Sequence, residues 1–509
     1  MNTAADLLAG DFATLPDLIA AHARERPDKI AVVDERGTLT YAALDRLTDR
    51  VAAALQRDGV RQQEAVAIVA TASTDYAAVF MGALRAGAAA TPISPSATPA
   101  SIAAMIADSG ARIVFLDPLT ADMLSGETLP TQVVFGQEFD VWLAPADARP
   151  ARIAIAPGDA FNIIYSSGTT GKPKGIVQSH GMRWQHLSRN SAAGYGDAVT
   201  MTATPLYSNT TLVSFLPTLG WGGTAVLMGK FDAGVYLDLA ERHRATHTML
   251  VPVQYQRLMA RADFDDHDLS SFRFKTCTSA PFHADLKADV LARWPGLLVE
   301  YYGMTEGGAS CALNCTAHPD KLHTVGQPMP GHDIRLIDDD GVEVPPGGTG
   351  EVVGRSGAMM NGYHGRTDAT RQAEWFDADG RRFIRHGDVG RFDEDGFLIL
   401  MDRKKDLIIS GGFNIYPSDL EAVLAQHPAV ADCTVIGVPS ASWGETPVGV
   451  YVARPGAIDG VEAIRLWANE RLGKTQRLAA LHQADELPRS AIGKVLKREL
   501  RERLVGDVA

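Results

Sequence analysis

Tyr165-Ser-Ser-Gly-Thr-Thr-Gly-Lys-Pro-Lys-Gly175 gathers three glycines, two serines, two threonines and two lysines into eleven residues. It follows a strand-like run, Asn162-Ile-Ile-Tyr165. Glycines let backbone N–H groups come close to an anion, and hydroxyls and ammonium groups add donors. The stretch therefore reads as a strand feeding a phosphate cradle. It is not a Walker A loop, because Gly171-Lys172 is followed by Pro173 where that motif needs Ser or Thr.

Outward from this loop, strand and helix patterns alternate, which favours an α/β fold over an all-β one. On the N-terminal side, Leu15–Ala23 and a segment opening at Thr40 carry apolar residues at helical spacing: Leu15, Ile19 and Ala23, then Leu44, Val51 and Leu55. Ile30–Val33, Val66–Ala70 and Ile113–Leu116 read as strands, with an Ala-rich segment at 77–90. On the C-terminal side, Ala225–Met228 and Thr248–Val251 are strands, with a helical stretch near 235–244. From 333 to 401, short strands sit between Gly- and Asp-rich turns, as in a small β-rich subdomain. The charged run Met401-Asp-Arg-Lys-Lys-Asp406 then marks the main boundary. Beyond it, Ser418-Asp-Leu-Glu421 predicts a capping box opening a helix, Val435–Val438 and Val448–Val452 are strands, and Asp459 caps a helix ending at Gly473. The expected architecture is an α/β domain over 1–402 and a small mobile α+β domain over 403–509.

Composition excludes several classes. A chain of 509 residues buries a large core without disulfides, and its four cysteines fit a reducing compartment. Forty-eight basic against 61 acidic residues leave a net charge of −13, which disfavours a nucleic-acid surface. The first fifteen residues lack a basic region followed by an apolar stretch, and no apolar run of about 18 residues occurs. A large, soluble, acidic, cytoplasmic protein without a transmembrane segment is expected.

Further motifs follow in a fixed order: Tyr302-Gly-Met-Thr-Glu306, His386-Gly-Asp388, Asp402-Arg403, Ser410-Gly-Gly-Phe-Asn414 and Pro488-Arg-Ser-Ala-Ile-Gly-Lys494. Together with the glycine-rich loop, they resemble those of the adenylate-forming enzymes: acyl-CoA synthetases, peptide-synthetase adenylation domains and luciferases. The resemblance spans nearly the whole chain and is greatest to AMP-forming carboxylate–CoA ligases. It implies ATP, Mg²⁺ and coenzyme A, a small-molecule carboxylic acid, and a two-step reaction through an acyl-adenylate. A homodimer is compatible with it.

The resemblance also implies residue roles. Ser166, Ser167, Gly168, Thr169, Thr170, Gly171 and Lys174 would hold the phosphates. Glu306, beside Thr305, would ligate Mg²⁺, a hard cation that takes carboxylate oxygen. Ser279, Ala280 and Pro281, with Tyr302 and Gly303, would flank the adenine. Asp388 and Arg403 would bind the ribose, and Lys494 would bridge the carboxylate and the α-phosphate. Lys405 matches a hinge, and Gly411 and Gly412 match a narrow channel for the pantetheine arm. Tyr207, Ser208, Asn209 and Thr211, with Gly307 and Gly308, would line the acyl pocket. Their polarity favours an aromatic, hydroxylated or shorter acid over a long alkyl chain. The chain departs from many acyl-CoA synthetases in having Ser208 where they carry His. No Asp stands near Ser208–Thr211 to bind a substrate amine, and no carrier segment follows residue 509, so a peptide-synthetase role is disfavoured. Alternatives are transfer to a carrier protein, a long-chain fatty acid substrate, a luciferase-like oxidation or a non-catalytic binding role.

Other patterns are set aside. Cys311, Cys315, His318 and His323 have an unusual zinc spacing. His243 and His247, expected on one helix face, lack the Glu of a metalloprotease motif. Gly220–Ala225 precedes a strand where a dinucleotide loop must follow one.

Overall fold

The computed structural model describes residues 2–166, 173–188, 193–403, 405–410, 413–440, 443–473, 476–490 and 493–506. Packing separates them into two units. The first lies within Met1–Leu322, Pro328–Asp333 and Gly354–Ile384. The second lies within His323–Gln327, Ile334–Val353 and Arg385–Ala509. Each is mixed α/β.

Local rules account for the first unit's elements. Thr14 caps the helix Leu15–Glu25 by accepting from the Asp17 amide, with Pro16 in the first turn. Thr40 caps Tyr41–Arg57 in the same way, and Tyr41, Leu44, Val51 and Leu55 point inward as their spacing predicts. The Ala-rich segment splits into a helix, Thr74–Arg85, and a strand, Ala89–Pro92.

Two sheets carry this unit. One has the strand order Gly362–Tyr363, Lys174–Ser179, Ala160–Ser166, Ala89–Pro92, Ala65–Val69, Ile113–Leu116, Thr131–Val134. Its last five strands are parallel; Lys174–Ser179 runs antiparallel to Ala160–Ser166, with Tyr165 opposite Gly175. The other sheet places Cys311–Asn314, Leu297–Tyr302, Phe274–Cys277, His247–Leu250, Val199–Thr202, Thr224–Leu227, Ile30–Asp34 and Gly37–Thr40 in that order. A core that includes Val66, Ile68, Phe80, Phe115, Phe161 and Phe215 is packed from residues of both sheets and their helices.

The second unit carries the strands Asp333–Ile337, Gly350–Arg355 and Arg382–Phe392 in that order, with Leu398–Arg403 pairing the last. A further sheet orders Phe413–Ile415, Ile408–Ser410, Gly444–Ala453 and Val430–Ser440, with Ala480–Ala484 parallel beside Gly444–Ala453. Leu420, Leu424, Val435, Tyr451, Ile464 and Leu481 pack its core.

Three local expectations fail. Ser418 does not cap: its hydroxyl donates to the Met401 carbonyl, its amide donates to Asp402, and Glu421 is taken up by Thr434, Val435 and Lys497. The helix Pro417–Leu424 starts from Tyr416 without a side-chain cap. Gly460, not Asp459, precedes the helix Val461–Arg471. His243 ends a helix, whereas His247 lies on a strand with its ring against the Ala193 carbonyl, so the two do not share a helical face.

All four cysteines are free thiols; Cys277, Cys311 and Cys315 are buried and Cys433 is half-buried. Among the described residues no His, Cys, Asp and Glu cluster could hold a metal by itself, and no helix is long and apolar enough to cross a membrane.

Candidate active site

Adjacent parallel strands set the first part of the site. Phe274–Cys277 and Leu297–Tyr302 pair in register, with Cys277 opposite Glu300. Ser279–Pro281 and Tyr302–Gly303 therefore leave the sheet side by side at its carboxyl edge, where open α/β sheets bind ligands. Ser279 has φ 82°, an uncommon left-handed backbone, and its hydroxyl hydrogen-bonds Thr210 Oγ1 at 2.5 Å. At Gly303, a Cβ would stand 2.8 Å from Ser310 Oγ.

The chain then turns a tight corner. The Thr305 carbonyl accepts from Gln178 Nε2 at 2.6 Å. The Glu306 carbonyl accepts from the Met360 amide at 2.8 Å, and the Gly308 amide donates to the Ala358 carbonyl at 3.1 Å. Gly307 has φ 76°, and a Cβ there would come 2.1 Å from the Ala358 oxygen, so only glycine fits. On the strand that leads to the corner, Glu300 forms a buried ion pair with Lys287 at 2.5 Å. Burial holds the Glu300 carboxyl above its ordinary range in spite of Lys287.

Three side chains converge on this corner. Tyr363 donates its hydroxyl to Glu306 Oε1 at 2.9 Å. Lys174 Nζ stands 5.1 Å from the centre of the Tyr363 ring, a cation–π contact. Register explains the meeting, since Tyr363 pairs with Ile176, two residues beyond Lys174 on the neighbouring strand. Burial and the Glu306 charge push the Tyr363 phenol far up, so it stays a neutral donor. The second Glu306 oxygen makes no hydrogen bond among the described residues. One uncommitted carboxylate oxygen fits Mg²⁺, which needs few protein ligands when phosphate oxygens complete its shell.

At the end of the strand Ala160–Ser166, Tyr165 donates to Asp108 Oδ2 and Arg366 to Asp108 Oδ1, each at 2.8 Å. Ser167, Gly168, Thr169, Thr170 and Gly171 lie outside the described residues, and Ser166 is described in its backbone alone.

The acyl-pocket candidates surround the start of the helix Asn209–Trp221, which Ser208 caps through the Thr210 amide at 3.3 Å. Tyr207 is half-buried, and burial raises its phenol. Thr211 is fully buried, its hydroxyl donating to Thr204 Oγ1 at 2.7 Å and the Pro205 carbonyl at 2.5 Å. Asn209 is half-buried.

In the second unit, Asp388 and Arg403 stand directly opposite each other in the antiparallel pair of Arg382–Phe392 and Leu398–Arg403. Lys405 is exposed, and Gly411 and Gly412 lie outside the described residues. Lys494 is exposed on a turn: the Gly493 amide donates to the Ser490 carbonyl, and the Ser490 amide donates to the Lys494 carbonyl, both at 2.8 Å. The turn precedes the basic helix, which begins at Lys497. Arg489 anchors it by donating to the Gly493 carbonyl at 2.7 Å and to Asp432 at 2.6 Å.

Tyr363 and Gln178 went unread in the sequence. Asn361-Gly-Tyr363 has no distinctive composition, and Gln178 follows Ile176 and Val177 in a short strand that also carries Lys174 and Ser179.

Comparison with known proteins now bears on this geometry. Residues 19–364 match the AMP-binding enzyme family and residues 419–494 the AMP-binding enzyme C-terminal domain. A feruloyl-CoA synthase from an Amycolatopsis species is 35% identical, over 94% of this chain and 97% of its own length. The 4-coumarate–CoA ligase-like 9 protein of Oryza sativa is 32% identical, over 97% of this chain and 93% of its own. The crystal structure of ATP-bound MatB from Rhodopseudomonas palustris superimposes with a TM-score of 0.85 at 30% identity, over 96% of this chain and 99% of that one.

Proposed function

The chain belongs to the AMP-binding enzyme family, and on that premise we propose that it joins an aromatic carboxylic acid to coenzyme A at the expense of ATP. It is an AMP-forming acid–CoA ligase. A carboxylate oxygen attacks the α-phosphorus of ATP, pyrophosphate leaves, and an acyl-adenylate forms. The sulfur of coenzyme A then attacks the acyl carbon, the C–O bond to AMP breaks, and the thiol proton passes to solvent. The observation that carries this reading is the meeting of Lys174, Tyr363 and Glu306, a cation, a neutral donor and a carboxylate at one corner beside the phosphate loop.

The chain's own groups divide the work as follows. The first step sets one anion against another, so catalysis rests on neutralising charge and on position. Lys174 and the loop donors Ser166, Ser167, Thr169 and Thr170 hold the pyrophosphate end. Tyr363 fixes one oxygen of Glu306 and leaves the other to Mg²⁺, which, when bound, offsets charge on the phosphates. Ser279–Pro281 and Tyr302–Gly303 flank the base, Asp388 and Arg403 take the ribose, and Lys494 stabilises charge at the α-phosphate.

The functional division proposed is 1–402 for nucleotide and acid and 403–509 for the catalytic lysine, with Lys405 the hinge and Gly411 and Gly412 the pantetheine channel. Paired glycines suit a narrow channel, and a hinge residue absorbs a backbone rotation between half-reactions. The acidic composition and few cysteines favour a cytoplasmic enzyme. Acid-dependent exchange of labelled pyrophosphate into ATP, followed by AMP release on adding coenzyme A, tests the reading. Exchange with AMP release only on adding a carrier protein would redirect the acceptor, and no exchange with any acid would end the proposal.

A further inference from the structure

Arg183 is 1% exposed, inside the core of the first unit. Its Nε donates to Asn162 Oδ1 at 3.0 Å. Its two Nη nitrogens have no hydrogen-bond partner among the described residues, and the Phe161 ring lies 5.8 Å from the guanidinium carbon. A buried cation with so little compensation is expensive, and an apolar residue would pack there without that cost. Such a group calls for an explanation.

The hydrogen-bond chain that starts from it supplies one. A guanidinium has donors and no acceptor, so Asn162 must turn its carboxamide oxygen toward Arg183. The Asn162 Nδ2 then donates to Gln178 Oε1 at 3.0 Å. These two residues face each other directly across their antiparallel strands, and both are fully buried. With its oxygen occupied, Gln178 has only its nitrogen to offer. That Nε2 donates to the Thr305 carbonyl at 2.6 Å and points at Asn209 Oδ1 at 3.4 Å. Each amide by itself could flip; the donor-only cation at one end and the acceptor-only Thr305 carbonyl at the other set the same direction for all of them. The last amide, Asn209, is half-buried at the start of its helix, and its Nδ2 makes no hydrogen bond among the described residues.

We propose that Arg183 is a positioning residue for acid recognition: through Asn162 and Gln178 it holds the Thr305 carbonyl and turns Asn209 so that its amide nitrogen donates to an oxygen substituent on the substrate acid. The inference rests on the ligase reading and names the substrate class within it, aromatic acids bearing a hydroxyl or alkoxyl oxygen. Gln178 is too deeply buried to touch the acid and acts through Asn209 and Thr305.

The test is pyrophosphate exchange by the full chain with matched acids, cinnamate against 4-hydroxycinnamate and benzoate against 4-hydroxybenzoate. Wild type should favour the hydroxylated member of a pair. Asn209→Leu should cut that preference by about tenfold, the worth of one hydrogen bond, mainly through KM of the hydroxylated acid. Gln178→Leu frees the Asn209 amide to rotate and should lower the preference by a smaller factor. Arg183→Met leaves the Thr305 carbonyl orienting Gln178 and should lower the preference by less than Gln178→Leu does, and Arg183→Lys, which keeps a donor-only head, should restore part of it. If Arg183→Met does not fold, the Gln178 and Asn209 variants still decide. Activity without preference in wild type, or a preference unchanged in folded Asn209→Leu, overturns the inference and leaves the ligase standing. Absence of exchange with every acid would instead remove the ligase reading, and the inference with it.

Discussion

Around Glu306, hydrogen bonds to Gln178 and to the Ala358–Met360 stretch and a glycine with no room for a Cβ hold the chain to one path. Lys494, by contrast, projects from an exposed turn closed by its own backbone and steadied by Arg489. The difference follows from what each group must do. A carboxylate that holds a small hard cation works only if placed to within about half an ångström, so its surroundings are rigid. A lysine carries its charge on a flexible four-carbon stem and needs only the base of that stem fixed.

That contrast can be broken or sharpened in four ways. The largest effect is expected on the strand that leads into the rigid corner. Lys287→Met leaves the Glu300 carboxylate buried and unpaired, and should cost about 3–5 kcal/mol in urea unfolding at pH 8. Because the Glu300 carboxyl is already raised in the folded chain, the unfolded chain holds fewer protons than the folded one above its own carboxylate pKa. Stability contributed by this group therefore falls as pH rises, and the variant's deficit should shrink toward pH 5. A deficit independent of pH would show that the pair does not govern the corner's support.

Next comes the exposed turn. Lys494→Ala should lower acid-dependent pyrophosphate exchange roughly hundredfold to thousandfold, with no change in unfolding midpoint, and leave thioester formation from supplied acyl-adenylate nearly intact. Equal loss of both half-reactions would contradict its assignment to the first. Gly307→Ala should then cost about 1–3 kcal/mol of stability, since the backbone must move away from the Ala358 carbonyl and a left-handed angle must be kept. A stable and active Gly307→Ala would mean that the corner gives more than its contacts suggest. The smallest change is Tyr363→Phe, which removes one hydrogen bond to Glu306. It should lower kcat/KM by up to about tenfold and raise the Mg²⁺ concentration for half-maximal exchange. An unaltered Mg²⁺ dependence would detach Tyr363 from the metal site.

The same contrast marks how far the sequence could be read. The glycine-rich loop and Tyr302–Glu306 are local: their residue types sit together in the chain, so motif and spacing single them out as candidates. The helices at Leu15 and Tyr41 were legible because one Thr cap and one apolar stripe each suffice. Tyr363 and Gln178 act through register between strands far apart in sequence, and nothing local to either announces a partner. Ser418 failed for the opposite reason. Its spacing to Glu421 satisfied a local rule, but tertiary partners at Met401, Asp402 and Lys497 took both side chains. His247 was misplaced because apparent helical spacing continued across the end of a helix into a strand.

Burial also pushes the thiols of Cys277, Cys311 and Cys315 upward, which keeps them protonated as well as shielded. Disulfide exchange starts from a thiolate, so none of the three competes with a mobile sulfhydryl for an oxidant or an alkylating probe. A chromogenic sulfhydryl reagent added to native enzyme should therefore register consumption of the acceptor almost free of protein background, and a sudden rise in reactive sulfur would report the moment the polypeptide comes apart.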